Sequence, residues 1–151
     1  MKSAIEVQNE KIVREVYQAA EVKDVSRFVS LFTKDGVFYD VSAGKKYQGK
    51  DLALTVEIYA KAFPDMHREL YDLYAVGDVV VVELSLNGTQ KGPLALPAGT
   101  IPATGNKMSA PCCDVFHLND GKVLTFNCYT AGTILLGQLG VLGNLQAAFS
   151  K

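Results

Sequence analysis

MSAPCCDVFHLNDGKVLTFNCYTAG, residues 108–132, decides the fold. Asn119-Asp120-Gly121 is a strong hairpin signal, because a tight type I′ turn needs positive φ at both central residues and Asp-Gly supplies it at little steric cost. The turn separates two runs that read as strands, 108–118 and 122–132. With Asp120-Gly121 as a two-residue turn, Asn119 faces Lys122, Phe116 faces Thr125 and Asp114 faces Asn127. Strand alternation then gathers Cys112, Asp114, Phe116, Thr125, Asn127 and Tyr129 on one face, a mixture of polar and aromatic groups that suits a pocket wall. Cys113, Val115, His117, Leu124, Phe126 and Cys128 fall on the other. That face is more apolar and suits a second packing surface, such as a dimer contact. A one-residue change of register would exchange the partners of each strand.

Working outward, residues 4–21 read as an amphipathic helix, with Ile5, Ile12, Val13, Val16, Tyr17 and Ala20 at helical spacing. A short helix over 24–33 carries Val25, Phe28, Val29 and Phe32 on one side. Asp35-Gly36 ends that pattern, and VFYDV (37–41) reads as a strand. A loop over 42–50 leads to a third helix at about 50–63, stopped by Pro64. Strands follow at 66–76 and 79–90, with a turn at Gly77-Asp78. Residues 91–107 hold three prolines and three glycines, and read as a loop or an interrupted strand. The apolar tail, 133–151, could be helical, although Gly137, Gly140 and Gly143 weaken it. Its apolarity suggests that it packs on the domain or on a partner subunit. Helices first and strands afterwards argue for an α+β fold.

Composition narrows the class. A chain of 151 residues, 48% apolar, suits one domain over 1–151 with a real core. The formal net charge is -1 and no basic stripe occurs, so neither nucleic acid nor an anionic membrane is expected as a partner. The charged N-terminal stretch lacks the apolar core of a targeting segment, and no run reaches membrane-spanning length. The three cysteines are an odd number, two of them adjacent, which reads as a cytoplasmic chain with reduced thiols.

Three residues conflict with their surroundings. Tyr17 sits on the apolar stripe of the first helix, Asp40 inside VFYDV and Asp114 inside CCDVF. A strand aspartate among large apolar residues must be solvated, paired or raised in pKa by desolvation. Such carboxyls serve proton transfer. Each residue also has a plainer reading: Tyr17 as a core aromatic, Asp40 as a turn cap, Asp114 as a solvent-facing strand residue. No metal site is expected, since His67 and His117 have no ligand partner at helical or hairpin spacing. Cys113 and Cys128, which face each other in the register above, read as buried reduced thiols. The sequence carries no phosphate loop or nucleophile elbow, and no cofactor is expected.

The segments VREVYQAAEVKDVSRFVSLFTKDGVFYDV, GKDLALTVEIYAKAFPDMH and GTIPATGNKMSAPCCDVFHLNDGKVLTF, in this order, resemble the nuclear transport factor 2-like superfamily, and within it the SnoaL-like polyketide cyclase branch. The resemblance implies a cone-shaped, curved, mostly antiparallel sheet wrapped around three N-terminal helices, a cystatin-like α+β roll with a pocket at its wide end, often a homodimer through the outer sheet face. Ketosteroid isomerase, whose oxyanion hole is a worked example of a carboxylic acid kept neutral, belongs to the same superfamily. Its helix tyrosine, its base after the second helix and its late-strand aspartate match Tyr17, Asp40 and Asp114. Many cyclases of this branch carry an acidic residue on the final strand; the matching position here is Thr125 or Asn127. The resemblance therefore implies cofactor-independent proton abstraction next to the carbonyl of a small apolar compound, by isomerisation or cyclisation, or else a non-catalytic pocket for such a ligand. Phe32, Phe38, Phe116, Thr125 and Asn127 are expected to contact the ligand.

Overall fold

The computed structural model describes residues 1–143 and residue 149. Helix α1 (Ala4–Glu21) opens on a capping box: Ser3 Oγ accepts from the Glu6 amide, and the Glu6 carboxylate accepts from the Ser3 amide. Its stripe buries Val13, Val16, Tyr17 and Ala20. Asp24 caps α2 (Val25–Ser30), which ends earlier than the expected 24–33. Phe32 already opens β1 (Phe32–Asp40), so this strand is longer than 37–41. Asp35-Gly36 does not end a helix but lies inside β1, where the register to its neighbour shifts between Phe32 and Val37. Gly36 permits that approach, since a Cβ there would stand 2.9 Å from the Val123 carbonyl oxygen.

Strand β2 (Lys45–Gln48) forms within the expected loop and pairs antiparallel with β1. The expected helix at 50–63 is divided into a 3-10 turn over Gly49–Ala53 and α3 (Leu54–Ala62). Strands β3 (His67–Val76) and β4 (Val79–Thr89) meet at the predicted Gly77-Asp78 turn. The 91–107 segment contains a small ribbon, β5 (Leu94–Leu96) against β6 (Gly99–Ile101). Gln90, fully buried, holds this excursion. Its Nε2 lies 3.2–3.3 Å from the carbonyls of Gly92, Ile101 and Pro102, and its Oε1 accepts from the Thr104 amide and hydroxyl. Strands β7 (Lys107–Asn119) and β8 (Lys122–Thr130) complete the sheet, in the order β2-β1-β8-β7-β4-β3, antiparallel except for the β1–β8 pair. A fourth helix, α4 (Gly132–Gln138), joins the three expected ones and buries Leu135, with Leu139 just beyond it. Residues 139–143 leave the helix, against the expected tail helix over 133–151, and beyond them only residue 149 is among the described residues.

The fold is thus α+β, a curved and mostly antiparallel sheet over helices. Its core forms where one face of β4 and β7 meets α1. Burial on β7 alternates without a break, with Met108, Ala110, Cys112, Asp114, Phe116 and Leu118 inward.

The hairpin follows prediction at the turn and departs from it one step later. Asp120 (φ 50°) and Gly121 (φ 75°) form the turn, and Asn119 pairs with Lys122. Between His117 and Leu118 the register shifts, because β8 carries Leu124 as an extra residue. Phe116 consequently pairs with Phe126 rather than Thr125, and Asp114 with Cys128 rather than Asn127. Phe126, Cys128 and Thr130 turn inward; Thr125, Asn127 and Tyr129 turn outward. The shift removes Phe126 from water, worth about 1.5–3 kcal/mol. It also spares the asparagine amide a place in the core, where it would need partners, whereas the Thr125 hydroxyl stays buried without one.

A buried acid–base cluster as the candidate active site

Helix α1 lays Tyr17 against the inner face of the β7–β8 hairpin. Its ring meets those of Phe116 and Phe126 edge-on, at centroid distances of 5.7 and 6.2 Å. This packing aims the phenol at β7, where Tyr17 Oη donates to Asp114 Oδ2 at 2.6 Å. The other oxygen, Oδ1, accepts from Cys112 Sγ at 3.3 Å. Asp114 is only 2% exposed and Tyr17 5%. Burial raises the Asp114 carboxyl to about 6, against the hydrogen bonds from Tyr17 and Cys112 and the nearby charge of Arg68. Burial, then the Asp114 charge, pushes the Tyr17 phenol well above its ordinary value. The direction for Asp114 agrees with the sequence reading. A pKa of about 6 leaves the carboxylate as the majority form at pH 7.

Tyr17 and Asp114 face a cavity that also takes Asp40, from the end of β1. It is open to solvent, and the volume within it available to the centre of a water-sized sphere is about 70 Å³. Its lining is mainly apolar, with Val56, Ile58, Met66, Leu84 and Leu86 among the walls. Asp40 is half-buried, and desolvation raises its carboxyl above the ordinary value, opposed by amide donors at Ala43 and Ser42. Its Oδ1 accepts from the Ala43 amide at 3.2 Å, so it also plays the turn-capping role. Tyr59 and Thr130 stand on the same wall system. Burial, before the Asp40 charge, raises the Tyr59 phenol. A second cavity shares Asp40, Tyr59 and Leu96 with the first and continues between the β5–β6 ribbon and α4, along Pro97 and Leu136.

The remaining site expectations divide. Phe38 lines the cavity. Phe32 and Phe116 do not; they lie in the core beneath it, Phe32 stacked on Phe126 and Phe116 fully buried beside the Tyr17 ring. Thr125 and Asn127 are not on the wall at all, because the Leu124 bulge turns them to the outer face. Cys113 pairs with Tyr129 and points outward, so it does not face Cys128. Cys112 does, with the two sulfurs 3.7 Å apart. His67 lies at the sheet edge between Glu21 and Glu69.

Sequence reading missed Arg68, Tyr59, Cys112, Cys128 and Thr130 as cavity groups or their neighbours. Arg68 was legible in principle: it lies at an inward position of an alternating strand, and its Nη1 sits 3.6 Å from Glu21. The cysteines and Thr130 depended on the bulge.

The family comparison agrees with this architecture. Residues 13–126 match the SnoaL-like domain, and the chain belongs to that family. Among solved structures it is similar to a candidate SnoaL-like polyketide cyclase from Jannaschia sp. CCS1, at 22% identity and a TM-score of 0.77, covering 89% of this chain and 96% of that one. It is similar to a hypothetical protein of ketosteroid isomerase-like fold from Catenulispora acidiphila, at 19% identity and a TM-score of 0.73 over 86% and 92% of the two chains. IdmH, a candidate polyketide cyclase from Streptomyces antibioticus, gives 20% identity and a TM-score of 0.73 over 89% and 99%. No curated protein matches the sequence closely enough to count as a relative.

Proposed function

We propose that this chain is a cofactor-independent acid–base catalyst that abstracts a proton next to the carbonyl of a small apolar compound, in the manner of an isomerase or a cyclase. The observation that carries the reading is the buried Tyr17–Asp114 pair, 2.6 Å apart, facing the same cavity as Asp40. Asp40, at the more open side, is the base. The carbonyl oxygen sits at the Tyr17–Asp114 pair, which donates hydrogen bonds to the developing enolate. That role needs Asp114 protonated. At pH 7 about a tenth of the molecules hold this proton, so selecting them costs about 1.4 kcal/mol. An apolar ligand that displaces water from the cavity lowers this cost, because it disfavours the buried charge further. The hydrogen bonds from Tyr17, Cys112 and Cys128, and after them the charge of Arg68, act in the opposite sense and limit the rise caused by burial.

The protein is proposed to work as a homodimer through the outer sheet face, where Tyr71, Tyr74, Leu124 and Tyr129 are exposed. A cytoplasmic location accords with its reduced thiols. Among the described residues no helix is long and apolar enough to cross a membrane.

The test is hydrogen–deuterium exchange at the carbon next to the carbonyl of a panel of cyclic ketones. Wild-type protein should accelerate it, and Asp40→Asn should abolish the acceleration while the circular dichroism spectrum is unchanged. A second reading has its own support: Asp40 is engaged by the Ala43 amide, as a structural cap would be. Ketone binding without exchange, equal in wild type and Asp40→Asn, would establish the pocket as a binding site and end the catalytic reading.

A further inference from the structure

The inner wall of the hairpin holds two thiols, which the acid–base reading does not use, beside the Asp114 carboxylate, which it does. Cys112 Sγ and Cys128 Sγ are 3.7 Å apart, Cys112 Sγ and Asp114 Oδ1 are 3.3 Å apart, and the three ligand atoms lie within 4.8 Å of one another. Thr130 Oγ1 completes the group at 3.5 and 3.3 Å from the two sulfurs. We infer that Cys112, Cys128 and Asp114 form a binding site for one thiophilic divalent metal ion of the zinc class, with its fourth position at Thr130 or open to the cavity.

The distances separate this from the obvious alternative. A tetrahedral ion with metal–sulfur bonds of about 2.3 Å holds its two sulfurs about 3.8 Å apart, and a sulfur and a carboxylate oxygen about 3.6 Å apart. Two of the three edges, at 3.7 and 3.3 Å, need adjustment of a few tenths of an ångström; the third, from Cys128 Sγ to the Asp114 carboxylate, lies within 4.8 Å. A disulfide requires the sulfurs to close to about 2.05 Å. Cys112 and Cys128 are diagonal across the ladder, since Cys112 pairs with Thr130 and Asp114 with Cys128. They can therefore share an ion between them without moving the strands.

The surroundings meet the other requirements of a metal centre. The ligand carboxylate is oriented by a second partner, because Tyr17 Oη donates to the oxygen that Cys112 does not touch. Two thiolates and a carboxylate around a divalent ion leave one negative charge, and Arg68, whose charge reaches Asp114, offsets it. Entry is through the cavity, which Asp114, Cys128 and Thr130 all line. Sulfur donors select a zinc-class ion over magnesium or calcium, which take oxygen ligands. Cys113, the adjacent thiol, points to the outer face and takes no part.

The site shares Asp114 with the proposed catalytic pair, so a bound ion and an Asp114 proton donor exclude one another; the test reads metal binding and not activity. Reduced, chelator-treated full-length protein is titrated with Co²⁺ under argon and followed by absorption. We expect one equivalent to bind, with a sulfur-to-cobalt charge-transfer band in the near ultraviolet and intense tetrahedral d–d bands in the red, both erased by one equivalent of Zn²⁺. Cys112→Ser and Cys128→Ser should each reduce the charge-transfer intensity by about half or more, while Cys113→Ser should leave it unchanged. Thermal melts of the wild type alone give a second measure: one equivalent of Zn²⁺ should raise the melting temperature, and a chelator should reverse the rise. Absence of the charge-transfer band in wild type, its persistence in Cys128→Ser, or its loss in Cys113→Ser would overturn the assignment.

Discussion

Replacing Asp114 by asparagine should stabilise the protein at neutral pH, and the gain should vanish in acid. The carboxyl titrates at about 6 in the folded chain against 3.8 ordinarily, because burial penalises its charge. A folded-state value above the unfolded one means that the native state holds the proton more tightly. The associated stability is fully present below about pH 3.8 and is lost as pH rises to about 6. Roughly two pKa units at about 1.4 kcal/mol each amount to about 3 kcal/mol surrendered by pH 7. Asparagine keeps an oxygen to accept from Tyr17 Oη and carries no charge to bury. Glu6, Glu10 and Asp65, all held below their ordinary values, titrate in the opposite sense, so wild type alone gives a mixed profile. The difference between variant and wild type isolates Asp114. Urea unfolding at each pH from 4 to 8 should show the difference growing by about 3 kcal/mol in favour of Asp114→Asn, then levelling above pH 6–7. A difference that stays flat within about 0.5 kcal/mol across that range would refute the argument, since no proton would then be held differently by the two states.

Three further outcomes follow from other contacts. Tyr17→Phe removes a hydrogen bond to a buried carboxylate, worth about 1.5–3 kcal/mol, and should raise the Asp114 pKa by about one to two units, read by carboxyl-labelled NMR titration. Gly92→Ala would set a Cβ 2.2 Å from the Lys61 carbonyl oxygen, so urea unfolding should report a loss of about 1–3 kcal/mol. Sedimentation at tens of micromolar should give a dimer for wild type and a monomer for Tyr129→Lys, which places a charge on the exposed outer face; an unchanged dimer would move the interface elsewhere.

The parts legible in the sequence were those written in local chemistry. The capped stripe of α1, the Asp120-Gly121 turn and the unbroken alternation of β7 each follow from residue type and spacing alone. Tyr17 and Asp114 were visible for the same reason, as polar groups at positions whose neighbours demand burial. What could not be read was set by contacts across the chain. The Leu124 bulge depends on which of Thr125 and Phe126 the core accepts, and that is decided by α1 and β1, far away in sequence. The β1 break at Gly36 depends on the approach of β8. The ribbon at 94–101 depends on one buried amide, Gln90, which a composition count of prolines and glycines does not reveal. One missed residue in the ladder therefore misplaced Thr125, Asn127 and Cys128 together.

That extra residue in β8 makes the cavity wall a matter of reading frame. With Leu124 present, the wall shows an aromatic ring, a thiol and a hydroxyl from Phe126, Cys128 and Thr130. Paired in a regular ladder from the turn, the same strand would put Thr125, Asn127 and Tyr129 in its place. Removing Leu124 would straighten β8 and leave the wall as it is, since Phe116 already pairs with Phe126 beyond the bulge. The wall is therefore fixed by where the strand stores its extra residue, and a hairpin one residue shorter carries the same pocket face on an unbroken ladder.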